Sequence, residues 1–121
     1  MKKQLFIIAA ILIGINVCTA EKDIALKWCE EQGGQSEYRT INATYVDCLI
    51  TDYVVEVEFD NKWKESIGQS LHYAQATGKK PAILYVRRQK SRVDYYTQLI
   101  DAITHHGLDI RIYFINEEEY S

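Results

Sequence analysis

The sequence predicts one α/β domain, a mixed sheet flanked by helices, behind a removable leader. Three observations predict it. The chain has 121 residues, the size of a single ordinary domain. Segments with apolar residues at helical spacing alternate with short runs rich in β-branched and aromatic residues. Hydrophobic residues make up 47% and charged residues 26%, which excludes a disordered chain, and six glycines with one proline exclude collagen-like architecture. A formal charge of −3 argues against a nucleic-acid binder that works by bulk charge alone.

Residues 1–20 read as a secretory signal. Lys2 and Lys3 form a positive start, and Leu5 to Val17 is an apolar run broken only by Gly14 and Asn16. Cys18-Thr19-Ala20 then places small residues at the −3 and −1 positions of a cleavage site. The run is short for a membrane span. The expectation is an exported protein, periplasmic or secreted, with no stable membrane insertion after cleavage. An uncleaved anchor and a lipoprotein modified at Cys18 are the alternatives, the latter disfavoured by Asn16 and Val17 ahead of the cysteine. The domain is then residues 21–121, and loss of two lysines and no acid takes the charge from −3 to −5. Cys29 and Cys48 remain as an even pair, so a disulfide is expected. Closing a loop of about 20 residues stabilises a fold by roughly 3 kcal/mol. A zinc site is poorly supported, because His105-His106 has no cysteine or carboxylate at ligand spacing.

Each element follows from local pattern. Glu21 to Gln32 is helical, with Ile24, Ala25, Trp28 and Cys29 on one stripe and Gly33-Gly34 as the stop. Glu37 to Ile41 is a short strand ended by a turn at Asn42. Tyr45 to Ile50 and Tyr53 to Phe59 form a hairpin through Thr51-Asp52. Trp63 to Thr77 is a second helix, with Trp63, Ile67, Leu71 and Ala74 on its apolar face and Gly78 at its end. Ala82 to Val86 is an apolar strand. Ser91 caps a third helix carrying Val93, Tyr96, Leu99, Ile100 and Ile103, and Gly107 stops it. Asp109 to Ile115 is the last strand, and Glu117 to Ser121 an acidic tail. The predicted order is α-β-β-β-α-β-α-β.

The hairpin carries the functional signal. With a two-residue loop, Ile50 pairs with Tyr53 and Asp47 lies opposite Glu56, so two carboxylates sit about 5 Å apart on one face. Glu58 and Asp60 follow at alternate positions on that face, while Val55, Val57, Phe59 and Cys48 point to the other. Opposed acids destabilise a strand pair unless a cation or a raised pKa relieves them. Oxygen-rich clusters suit magnesium or manganese. A solvated antiparallel face would carry the same residues. On the following helix, Lys62, Gln69 and Tyr73 lie off the apolar stripe, and Gln69 is placed beside the carboxylates.

This arrangement resembles the PD-(D/E)xK nuclease superfamily, in particular its small restriction-endonuclease-like and Holliday-junction-resolvase-like members. The likeness is carried by Val46-Asp47-Cys48-Leu49, by Val55-Glu56-Val57-Glu58-Phe59, and by Lys62 to Ala74 with Gln69, and it spans Trp28 to Ile115. It implies a restriction-endonuclease-like α/β fold. It also implies a Mg2+ or Mn2+ ion held by Asp47, Glu56 and the carbonyl of Val57, with Gln69 as the helix glutamine. Glu58 stands where active members carry lysine, and glutamate has the opposite sign. Either Lys62 or Lys64 replaces that cation, or Glu58 takes a metal-linked role, or the site does not cleave. Glu37, and Glu30 or Glu31, are candidates for a further acid.

Lys79, Lys80, Arg87, Arg88, Lys90 and Arg92 place six positive charges without an acid among them, interleaved with Tyr85, Tyr95 and Tyr96. Together these features predict an exported metal-dependent phosphodiesterase acting on nucleic acid. The alternatives are an inactive nuclease-like binding module and a disulfide-stabilised envelope interaction protein.

Overall fold

A computed structural model describes residues 21–120; the signal expected over residues 1–20, and Ser121, lie outside the described residues. Helix α1 covers residues 21–31. It is followed by β1 (Gln35–Arg39), β2 (Tyr45–Leu49), β3 (Tyr53–Phe59), α2 (Trp63–Thr77), β4 (Lys80–Arg87), α3 (Tyr95–His105) and β5 (Arg111–Asn116). The α/β order is the predicted one. The five strands form one mixed sheet in chain order, β1-β2-β3-β4-β5. β1, β2 and β3 are antiparallel neighbours, whereas β3, β4 and β5 run parallel. Parallel neighbours need a crossover, and α2 and α3 supply the two.

The period-2 alternation of β3 divides the molecule into two layers. Val55, Val57 and Phe59 join Ala82, Leu84, Val86 and Ile115 beneath α1, whose Ile24, Ala25, Trp28 and Cys29 complete that core. Trp28 meets Tyr113 edge to face, with ring centroids 5.1 Å apart. Cys29 and Cys48 form the expected disulfide, pinning α1 to β2. Gly34 lets the chain turn past it: a side chain there would meet Cys48 Sγ at 2.8 Å and Cys29 Sγ at 2.9 Å. On the other face Ile83, Tyr85, Leu99, Ile103 and Ile110 form a second core with Trp63, Ile67 and Tyr96.

Element edges depart from the predicted ones where tertiary pairing decides them. β1 runs two residues earlier than expected, and β4 extends to Lys80–Arg87 because β3 pairs with it throughout. Pro81 is tolerated in that extension because β5 begins pairing only at Ala82, so no β5 partner is lost. The cap of α3 is Asp94 rather than Ser91: its Oδ1 accepts from the Thr97 N–H at 3.1 Å and its Oδ2 from the Thr97 hydroxyl at 2.6 Å. Val93 consequently lies ahead of the helix, 49% exposed.

The buried face of α2 also differs. Ser66 and Ser70 are completely buried, whereas Leu71 is exposed. Each serine hydroxyl donates to a carbonyl of its own helix, Ser66 to Trp63 O at 2.6 Å and Ser70 to Ile67 O at 3.0 Å. These short, internally satisfied side chains let α2 lie close against β3.

Candidate functional site

β2 and β3 pair next to the turn, at Cys48↔Val55 and Leu49↔Val54. The Ile50 N–H continues that register by donating to Tyr53 O at 2.9 Å. Beyond it the Asp47 side chain replaces a backbone partner, with Oδ2 accepting from the Val57 N–H at 2.8 Å. Extending the recorded registers places Glu37 opposite Asp47 on one side and Glu56 opposite Asp47 on the other. Glu37 has φ of 51°, a left-handed conformation costly for a non-glycine residue. Its exposed carboxylate lies 3.3 Å from Lys22 Nζ. A row of three acids thus crosses β1, β2 and β3.

Burial dominates the electrostatics of this row. Glu56 and Glu58 are 4% and 7% exposed. Burial first, then the Asp47 and Glu58 charges, push the Glu56 carboxyl up to about 9. The Asp47 carboxyl is raised as well, chiefly by burial, against the Val57 N–H and a hydrogen bond with Glu56. Glu56 and Asp47 hydrogen-bond to each other, and the Tyr73 hydroxyl also hydrogen-bonds to Glu56. The remaining oxygen, Glu56 Oε2, is buried with no partner among the described residues. Such an orphan is rare in a folded interior. Beside the pair, a recess of about 200 Å³ is lined by Glu21, Lys22, Ala25, Leu26, Glu37, Asp47 and Val57.

Glu58 is raised to about 8, first by burial and then by Glu21, with which it hydrogen-bonds. Lys62 opposes that shift, and Glu65 adds to it. Lys62 is thus the cation that acts on this position. Lys64 instead sits 5.7 Å over the Trp63 ring. Gln69 is exposed on the turn between Glu65 and Tyr73, the two α2 residues that act on Glu58 and Glu56. Asp60 leaves the acidic face for a structural task. Its Oδ1 accepts from the Asn61 N–H at 2.8 Å and its Oδ2 from the Arg88 N–H at 3.3 Å, tying the end of β3 to the loop after β4.

Among the described residues, no three Asp, Glu, His or Cys side chains form a group that could hold a metal ion. The chain supplies the Asp47–Glu56 pair and the orphan oxygen. That set fits magnesium, which is commonly held by one or two carboxylates with water and substrate phosphate completing the shell.

Comparisons with known proteins leave the family open. No family model matches this chain, and no solved structure matches it. It is 35% identical over 66 residues to "Putative KilA-N domain-containing protein L32" of Acanthamoeba polyphaga mimivirus. That match covers 54% of this chain but spans only 18% of the viral protein's length.

The first-helix acid that acts on this site is Glu21, not the expected Glu30 or Glu31. Glu31 accepts from the Tyr120 hydroxyl, and Glu30 is exposed. The only sequence signal for Glu21 was its place on the turn before the Ile24–Ala25 stripe. The six basic residues also divide. Lys79 and Lys80 stand at the start of β4, and Arg87 ends it, roughly 23 Å away at strand rise. Lys79 is spent on Thr51 O, and Arg88 lies 4.3 Å over Phe59 and 4.0 Å from Glu117. Arg87, Lys90 and Arg92 remain as one exposed group.

Proposed function

We propose that the Asp47–Glu56 pair is a divalent-metal site for phosphodiester hydrolysis of nucleic acid, in an exported domain of nuclease type. The supporting observation is the orphaned Oε2 of Glu56, buried beside a second carboxylate whose own position is set by the Val57 N–H. An acid pair so arranged lacks a cation, and an Mg2+ or Mn2+ ion held by Asp47 and Glu56 would supply it, polarising phosphate and lowering the pKa of water.

The residues around the pair have definite tasks. Asp47 is held by the backbone of the strand that carries Glu56, so their spacing is fixed by the fold rather than by side-chain freedom. Tyr73 holds Glu56 from the α2 side. Glu58 at about 8 keeps its proton at neutral pH, so it adds no full negative charge where a phosphate must approach. Lys62, acting on Glu58, supplies positive charge from the turn after β3. Gln69 lies on the exposed rim of the same side, positioned to hold a phosphate oxygen or water. The Cys29–Cys48 disulfide supports export to an oxidising compartment.

Glu58 in place of lysine favours a second reading, a site that binds metal and nucleic acid without cutting. The deciding experiment is cleavage of single-stranded, duplex and branched DNA and of RNA by the oxidised protein, with magnesium or manganese, beside Asp47→Ala and Glu56→Ala. Metal-dependent cleavage lost in both variants is the expected result. Cleavage that survives both overturns this assignment, and manganese binding that needs both carboxylates without cleavage selects the second reading.

A further inference from the structure

A second recess lies on the β4–β5 side of the sheet, away from the acid pair. It encloses about 400 Å³ and is lined by Tyr85, Arg87, Ser91, Arg92, Val93, Asp94, Tyr96 and Phe114. That volume is within the range of small-molecule sites. Three rings form one wall. Tyr85 stacks on Phe114 with centroids 5.3 Å apart and planes 28° apart, and Tyr96 stands edge-on to both at 5.3 and 5.1 Å. Phe114 is nevertheless 43% exposed, because β5 is the edge strand of the sheet.

The opposite lining is cationic. Arg87 ends β4 and Arg92 lies in the loop before α3, and both are exposed with no ion-pair partner among the described residues. The one acid of the lining, Asp94, has both carboxylate oxygens engaged by Thr97. An apolar ring face flanked by two unpaired guanidinium groups matches a nucleotide: a base stacks on the rings and its phosphates meet the arginines. In a duplex both faces of each base are covered by neighbours, so a recessed ring is reached only by an unpaired base. We infer that this recess binds an unpaired nucleotide of single-stranded nucleic acid, with Phe114 as the stacking platform and Arg87 and Arg92 as phosphate contacts.

This inference rests on nucleic acid as the partner, but not on hydrolysis at the acid pair. It is tested by fluorescence anisotropy of the oxidised full chain with a labelled oligothymidine and with its duplex, in chelator so that no cleavage occurs. Phe114→Ala should weaken single-strand binding about 5- to 150-fold, the range for one lost stacked base. Phe114→Tyr should restore it, and Arg87→Ala with Arg92→Ala should weaken it and flatten its salt dependence. The circular-dichroism melt of each variant reports folding, and Phe114→Leu, which stays apolar but has no ring to stack on, keeps the test decisive if the alanine variant does not fold. Equal affinity for strand and duplex, a folded Phe114→Ala or Phe114→Leu protein that binds like the parent, or a double arginine variant with an unchanged salt slope overturns the inference. Cleavage by a Phe114→Ala protein with unchanged oligonucleotide affinity removes this recess and leaves the acid site standing. Single-strand binding without any cleavage does the reverse.

Discussion

Removing the titration of Glu56 should change the pH response of the whole fold. In the folded chain its carboxyl is raised from 4.5 to about 9. Between those values the folded protein holds a proton that the unfolded chain has lost, so stability falls as pH rises. Each pH unit in that window costs about 1.4 kcal/mol for one such group. Raising the pH from about 5 to about 7 therefore costs about 3 kcal/mol from Glu56, with Asp47 and Glu58 shifted in the same direction. For a domain of this size that corresponds to a drop in Tm on the order of 10 °C. Thermal melts followed by circular dichroism in chelator, at several pH values, measure it. Glu56→Gln keeps the shape and hydrogen-bonding capacity of the side chain without the titration; because Glu58, raised to about 8, contributes a similar slope, the variant should lose roughly half of it and melt higher than the parent near pH 8. Manganese should also flatten the slope in the parent, because a cation bound to the pair replaces the proton. A parent Tm that is level or rising between pH 5 and 8 in chelator would refute the reasoning. So would a Glu56→Gln protein with the parental slope.

Two further predictions concern the scaffold. Gly34→Ala places a methyl group 2.8 Å from Cys48 Sγ and from Ile50 Cγ2, so urea denaturation should show a loss of about 1–3 kcal/mol. Gly68 lies exposed in the interior of α2 with nothing within 4 Å of the position a side chain would take. Gly68→Ala should therefore stabilise the fold by about 0.5–1 kcal/mol in the same assay, and a loss instead would show that α2 is more crowded there than its surroundings indicate.

The division of β3 into an acidic and an apolar face was legible because both signals are local. Strand alternation has a period of two, and the short Thr51–Asp52 turn sets the register that brings Asp47 opposite Glu56. Local patterns did not carry three other features. The buried face of α2 was legible in part: Trp63 and Ile67 do pack on the second core, but the helix buries Ser66 and Ser70 completely and leaves Leu71 exposed, which an apolar stripe does not signal. Glu21 meets Glu58 across a separation of 37 residues, a tertiary contact that no local pattern signals. The run of positive charge from Lys79 to Arg92 looked continuous in sequence, but β4 places its two ends at opposite edges of the molecule.

The acids of β3 are not explained by stability. Their neighbours in the strand are Val54, Val55 and Val57, all buried, and an aliphatic side chain at position 56 would meet Ile83 across the parallel register. Replacing buried charged groups with apolar ones of similar size is often neutral or stabilising. Glu56 instead remains as a carboxyl with an unsatisfied oxygen, at a pKa that makes the fold pay in stability at neutral pH. The costs sit together: the left-handed Glu37, the interrupted β2–β3 ladder, and serines where α2 could bury leucine. On the proposed metal reading, a bound cation would turn that cost to advantage, satisfying the orphan oxygen and relieving the mutual repulsion of the acids.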